Sequence, residues 1–274
     1  MRALPTVARV AGGVAWVVMP RRRRLVGRNL ERILGPLSAG ERRRRCRLAF
    51  VSAATYWLDT FRLWRLDPVS SPPSVEPDGM ELLTVALSHG RGVVVVTPHF
   101  GSWDLGGAWL ASQGFDVTAV MERLEPPRLR QWFAEVRRRV GVHVIIHGPD
   151  VWEQLTDALA ANRVVVLVAD RDLHGRGIPV EFFGERTTLP KGPAELARRC
   201  AAPVLAVAFY DLVDGTHPAI ARTVVAPDDA HPDLDPAAVT RGVAAAFEEL
   251  ISSAPEQWHL FQPIWPSDRG RSAV

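Results

Sequence analysis

Apolar positions along this chain follow two periods, and from about residue 80 the two alternate segment by segment. Val93-Val94-Val95-Val96-Thr97 is apolar on both faces, as only a strand covered on both sides can be. It stops at Pro98, and Trp103 to Gln113 then has helical composition and ends before Gly114. The same succession predicts strands over Val117–Met121, Val142–Ile146, Arg163–Ala169, Val204–Phe209 and His217–Val225. Helices are predicted over Glu81–Ser88, Pro127–Val140, Val151–Ala161, Gly192–Cys200 and Pro236–Ser252, and Gly175 to Pro190 reads as a long loop. The expected fold is α/β: a mostly parallel central sheet flanked by helices, with several strand ends meeting at one crevice.

The first 66 residues follow a different pattern. Leu48 to Leu66 predicts a long apolar helix carrying Tyr56, Trp57, Phe61 and Trp64. Ahead of it, Val10 to Pro20 is apolar but bounded by Arg9 and Arg21, and such a run is too short to cross a bilayer, which takes about twenty residues. It suits a segment lying in a membrane interface, with Trp16 at headgroup depth and Arg21, Arg22, Arg23 and Arg24 on lipid phosphates. A signal peptide is disfavoured, because four arginines follow the run and no small-residue cleavage site does. Residues 1–66 are therefore expected as a basic amphipathic helical region that docks on the membrane and belongs to the same domain as an α/β core over 67–274. Asp67 to Pro77 is the expected connecting loop.

Charge supports this picture more than the net value of +3 implies. Residues 1–50 hold thirteen arginines against Glu31 and Glu41, about +11, so the remainder carries about −8. Such asymmetry marks a basic face with an anionic partner, and the apolar neighbours point to a membrane surface and not to nucleic acid. Each basic residue near an anionic membrane contributes about 1 kcal/mol. The two cysteines, Cys46 and Cys200, have no metal-ligand spacing, so free thiols and no metal are expected.

Candidate chemistry collects at the strand ends. His99 lies where the valine strand gives way to a helix, with Asp104 five residues on. A His-x4-acid pattern arises by chance about once in such a chain; position gives this one its weight. Glu122-Arg123 follows the second strand and Asp170-Arg171-Asp172 the fourth. No Gly-x-Ser-x-Gly elbow, Walker loop or Gly-x-Gly-x-x-Gly is present. His143 and His147 straddle a strand, and His174, His217, His231 and His259 read as solvated or satisfied.

Together, His99-x4-Asp104, Glu122-Arg123, Asp170-Arg171-Asp172, Phe182-Phe183-Gly184 with Thr187-Thr188, Ala202-Pro203-Val204, Gly27-Arg28-Asn29-Leu30 and Ala254-Pro255-Glu256-Gln257-Trp258 resemble the lysophospholipid acyltransferase superfamily. The branch most similar holds the lipid A late acyltransferases and the actinobacterial phosphatidylinositol mannoside acyltransferases. Thirty-two arginines against Lys191 alone fit the GC-rich genomes of that group. The resemblance implies a peripheral enzyme of the cytoplasmic face of the plasma membrane. It would move a fatty acyl chain from acyl-CoA (or acyl carrier protein), a co-substrate and no bound cofactor, to a mannose hydroxyl of a glycolipid.

The resemblance also implies roles. His99 is the general base, for which an imidazole of ordinary pKa about 6.5 is suited. Asp104 is the family's partner acid, while Asp170 and Asp172 are the other candidates for direct contact with His99. Arg123, Arg137 and Arg171 are candidates for phosphates, with Glu122, Phe183, Gly184, Thr187 and Thr188 also on the substrate side. The competing readings are an acyltransferase for another glycolipid or lysophospholipid, such as a lipid A-like acceptor, and a non-catalytic protein of anionic membranes.

Overall fold

The computed structural model describes residues 4–65, 73–173, 175–212 and 217–269. Leu66, the expected linker residues 67–72 and His174 lie outside the described residues, as does the boundary between the two expected regions. Three helices come first, α1 (Leu4–Val18), α2 (Pro20–Leu34) and α3 (Ala39–Leu63). Then follow β1 (Val75–Asp78), α4 (Met80–Ser88), β2 (Val93–Thr97), α5 (Trp103–Ser112), β3 (Val117–Met121), α6 (Pro127–Arg139) and β4 (Val142–Ile146). After α7 (Val151–Ala160) and β5 (Val164–Val168) come β6 (Ile178–Phe182), β7 (Glu185–Leu189) and α8 (Gly192–Cys200). The last elements are β8 (Val204–Phe209), β9 (His217–Val225), α9 (Pro236–Ser252) and α10 (Pro266–Arg269).

Seven strands form the main sheet in the order β1-β9-β8-β2-β5-β3-β4. All neighbours are parallel except β8 and β9. The fold is α/β with a mostly parallel sheet, as the alternating pattern implied. In β2 the pleat sends successive valines to opposite layers. Val94 and Val96 join Leu159, Val165 and Phe247, whereas Val93 and Val95 join Leu105, Trp109 and Leu205. With both layers filled, every β2 residue is buried.

Three elements differ from expectation. Helix α3 begins at Ala39 and not at Leu48, so the second arginine run is helical. The Ser38 hydroxyl accepts from the Glu41 N–H at 3.2 Å, a capping signal readable in Ser-x-x-Glu. Strand β1 was not expected; it is a short, mostly exposed edge strand beside β9 and carries a proline. The expected loop 175–190 contains the antiparallel hairpin β6–β7. Its two-residue turn, Phe183-Gly184, has φ of +50° and +72°, the left-handed pair that suits a tight hairpin.

The N-terminal helices are tied to the sheet domain by specific pairs. Asn29 Nδ2 donates to the Leu260 carbonyl at 3.1 Å, Arg28 meets the buried Asp268 at 2.7 Å, and Arg32 lies over the Trp265 ring at 4.2 Å. Helix α1 presses on α3 at Gly12, where an added Cβ would stand 2.6 Å from Val51 Cα. Among the described residues no helix is long and apolar enough to cross a membrane.

Gly101 governs the turn that carries the candidate site. Its φ is +53°, and a Cβ there would fall 1.8 Å from the Phe209 carbonyl oxygen, a backbone atom that cannot rotate away. We predict that Gly101→Ala destabilises the fold by at least about 2 kcal/mol through overpacking and strain. Denaturant unfolding checks this, and an unchanged midpoint would refute it.

Candidate active site at the carboxyl ends of three parallel strands

Strands β2, β5 and β3 lie side by side, and their carboxyl ends supply the site. Thr97 of β2 is paired with Val168 of β5. His99 and Asp170 each stand two residues beyond that pair, so the parallel register delivers them side by side. Met121 ends β3 on the other flank of β5 and places Glu122 at the same edge. This is where open α/β sheets carry their ligands.

Asp170 is fully buried and accepts three hydrogen bonds. His99 Nδ1 lies 2.5 Å from Oδ1, while the His99 backbone N–H and Trp258 Nε1–H reach Oδ2 at 3.0 and 2.8 Å. Burial alone would push this carboxyl up. The adjoining imidazole, the Arg171 guanidinium and the indole N–H outweigh it and hold the pKa at about 2. Three flanking bonds clamp the backbone around His99: His259 N–H to the His99 carbonyl at 2.7 Å, Gly101 N–H to Gln257 O at 2.9 Å, and Ala169 N–H to Thr97 O at 3.0 Å.

The outer ring nitrogen meets Arg171. Arg171 Nη2 stands 2.8 Å from His99 Nε2 and 2.9 Å from Glu122 Oε1, and Nη1 donates to Gln262 Oε1 at 2.8 Å. A guanidinium has no lone pair to offer, so Nε2 must be the acceptor and Nδ1 must carry the ring proton. In that arrangement the ring's N–H is on Asp170 and the Nε2 lone pair faces outward. That tautomer is the one a general base needs.

Of the three acids left open as partners of His99, Asp170 meets the imidazole and Asp104 does not. It sits in the first turn of α5, which begins at Trp103 and turns its side chain toward α3 and α6. Tyr56 OH donates to Oδ2 and Arg137 Nε to Oδ1, both at 2.8 Å. Burial, together with the Asp104 charge, pushes the Tyr56 phenol well up. For Arg137 burial works against the charged form, but Asp104 prevails and raises its pKa. Arg137 is thereby committed to Asp104 and not held out to solvent for a phosphate. The link from Asp104 to His99 is indirect. The Tyr56 ring stacks on Trp103 at 3.8 Å, and Trp103 meets the His99 ring edge-on at 5.4 Å.

Asp172 is likewise engaged away from the imidazole. Its Oδ2 accepts from Gly177 N–H and Thr188 Oγ1, both at 2.7 Å, which closes the segment leading into the hairpin. Thr187 donates to Ile264 O at 2.7 Å, and the Phe183 N–H donates to Glu248. Phe183, Gly184, Thr187 and Thr188 therefore shape the hairpin, and none makes a hydrogen bond or ring contact with His99 or Arg171. Phe183 comes nearest through Trp258, whose ring centre lies 5.7 Å from its own. Arg123 is exposed beside Glu122.

Sequence reasoning passed over Tyr56, Gln262 and His259 as site residues. His259 is partly buried against Tyr56 and Trp103, with Nε2 satisfied at 2.9 Å from Ser52 Oγ and Nδ1 enclosed with no hydrogen-bond partner among the described residues. Burial pushes its pKa down to about 4, against the opposing pull of the Asp211 charge. In the unfolded chain the same imidazole takes up a proton near pH 6.5. The unfolded state then binds more protons between pH 6.5 and about 4, so stability must fall as pH falls through that window. The drop in unfolding free energy from pH 7 to 4.5 is expected to be smaller in His259→Gln than in the parent; equal drops would refute the burial effect.

With this geometry in view, the chain matches the family model described as bacterial lipid A biosynthesis acyltransferase over residues 2–267. It is 34% identical over 249 residues to the phosphatidylinositol mannoside acyltransferase of Mycolicibacterium smegmatis, covering 88% of this chain and 79% of that protein. The Mycobacterium tuberculosis H37Rv protein of the same name is 34% identical over 255 residues, covering 89% and 78%. The lipid A biosynthesis lauroyltransferase of Escherichia coli K12 is 26% identical over 251 residues, covering 90% and 80%. The model match extends from the N-terminal helices through the His99 turn to the Trp258 segment, and on it and these identities the chain belongs to the bacterial lipid A biosynthesis acyltransferase family.

Proposed function

We propose that this acyltransferase moves a long acyl chain from acyl-CoA to a mannose hydroxyl of a phosphatidylinositol mannoside, working as a peripheral protein at the cytoplasmic face of the plasma membrane. The observation that carries the reading is the His99 imidazole, anchored through Nδ1 on Asp170 with Nε2 facing out. Identity to two proteins named for that acceptor supports the choice of substrate.

A sugar hydroxyl is too weakly acidic to attack a thioester unaided. In the proposed reaction it takes the place of Arg171 Nη2 at His99 Nε2. Its proton passes to Nε2 as its oxygen bonds to the thioester carbon. The C–S bond then breaks, and the leaving thiolate recovers the proton from the imidazolium. Asp170 stabilises that imidazolium because a buried carboxylate is already hydrogen-bonded to Nδ1–H. Backbone N–H groups in the first turn of α5, which lack intrahelical acceptors, would receive the oxyanion. Arg171, once displaced, and exposed Arg123 are the cations for phosphates of donor or acceptor. Glu122 lies beside the incoming sugar.

His99→Ala should abolish acyl transfer while the far-UV circular dichroism spectrum remains that of the parent, with stability lowered by about 1–3 kcal/mol because Asp170 loses one of its donors. Near-normal transfer to a mannoside extract, read by mass spectrometry of the product lipid, would end this mechanism. Appearance of free fatty acid in place of acylated lipid would assign hydrolysis instead.

The two acids should separate cleanly. Asp170→Asn is expected to lower kcat by about 10²–10⁴-fold and to shift the acid limb of the pH–rate profile, since it strips the partner of the base. Asp104→Asn breaks a buried ion pair, so its main effect should be a stability loss of about 3 kcal/mol with a smaller loss of kcat. The reverse ranking in kcat would return Asp104 to the role of direct partner.

A further inference from the structure

We propose that the two arginine runs of the N-terminal helices build a pocket for the phosphate of an anionic phospholipid headgroup, apart from the acyl-transfer site. The inference rests on the membrane-bound reading above and gives it an address. Between α2 and α3 lies a cavity of about 620 Å³ lined by Arg23, Arg24, Arg28, Arg42, Arg43 and Trp16. The runs are separated by some twenty residues of sequence, and only the turn from α2 into α3 folds them onto one concavity.

Two of the five cations are already engaged: Arg28 meets Asp268 at 2.7 Å, and Arg42 stands 3.5 Å from Glu31. Arg23, Arg24 and Arg43 have no carboxylate within ion-pair distance among the described residues. Arg23 and Arg43 are instead held by the Trp16 indole, their guanidinium carbons 4.6 and 5.2 Å from its ring centre. Like charges gathered in a concave site repel unless an anion joins them, and guanidinium forks match phosphate oxygens.

Trp16 also identifies which phosphate. The same indole walls a second, apolar groove of about 530 Å³ that carries Val10, Val14, Val17 and Val18 of α1. These valines are 61%, 57%, 62% and 63% exposed. They stay exposed because α1 is pinned on α3 by its Gly12 side. A charged pocket sharing a wall with an exposed valine strip has the form of a phospholipid, a phosphate joined to acyl tails. A soluble nucleotide or a nucleic acid would use the pocket and leave the valines in water.

The test compares two variants of equal charge loss. Arg24→Gln with Arg43→Gln removes pocket cations, whereas Arg21→Gln with Arg22→Gln removes exposed cations of α2 that do not line the cavity. Co-sedimentation with phosphatidylglycerol–phosphatidylcholine vesicles should weaken at least tenfold more for the first pair than for the second. Ala39→Trp fills the pocket mouth without altering charge and should reproduce that loss. Equal losses for the two pairs, or unchanged binding by Ala39→Trp, would reduce the region to a diffuse basic surface and overturn the proposal. Calorimetry with inorganic phosphate, coenzyme A and duplex DNA separates the sources. Arg24- and Arg43-dependent binding of any of these, without vesicle dependence, overturns the lipid assignment. All binding is also measured on His99→Ala protein, so loss of the acyl-transfer reading leaves this measurement intact.

Discussion

The site depends on one buried charge. Asp170 has no exposure, and an isolated carboxylate there would be prohibitively costly. Three donors satisfy it: the His99 ring, the His99 backbone and the Trp258 indole. Each donor is thereby fixed in place. The ring cannot turn without breaking the bond at Nδ1, and the His99 loop cannot shift without stranding a carboxylate oxygen. The outward aim of Nε2 is a consequence of keeping Asp170 satisfied, so the cost of burial is converted into orientation of the imidazole.

The segment 258–265 transmits that order to the rest of the molecule. Trp258 bonds Asp170, His259 bonds the His99 carbonyl, and Gln262 holds Arg171. A few residues away, Leu260 accepts from Asn29 of α2, and Trp265 lies under Arg32 while donating to Phe182 O at 3.1 Å. One short strap therefore touches the His99 site, the hairpin and the N-terminal helices. This is why those helices are packed on the sheet domain by buried polar groups, Asn29 and Asp268, and not by apolar contact alone.

Much of the fold was legible because β2, β5 and β8 are nearly pure valine, alanine and leucine, and only a strand buried on both faces looks like that. Edge elements were not. Strand β1 is polar and carries a proline, and the β6–β7 hairpin hides its alternation behind Glu181, Glu185 and Arg186. His99, Asp170, Arg171 and Glu122 could be placed at one sheet edge from sequence, since each follows a strand directly. Which acid meets the imidazole could not. That depends on the pairing of Thr97 with Val168, two residues 71 positions apart in the chain, and a register shift of one would have offered a different side chain. The packing of His259 could not be placed for a related reason: Tyr56 and Trp103, which enclose it, lie on distant elements.

The His-x4-Asp spacing acquires a physical meaning different from contact. Asp104 is the second residue of α5, and its carboxylate is taken up by partners on α3 and α6 and not by the turn that carries His99. It draws Tyr56 and Arg137 together. That fixes the Tyr56 ring, on which Trp103 stacks, and Trp103 in turn limits the space beside the His99 ring. Two acids thus constrain the same imidazole by separate routes, Asp170 through a hydrogen bond to its nitrogen and Asp104 through an aromatic wall along its edge. The first fixes the orientation of the ring and the second the volume left beside it.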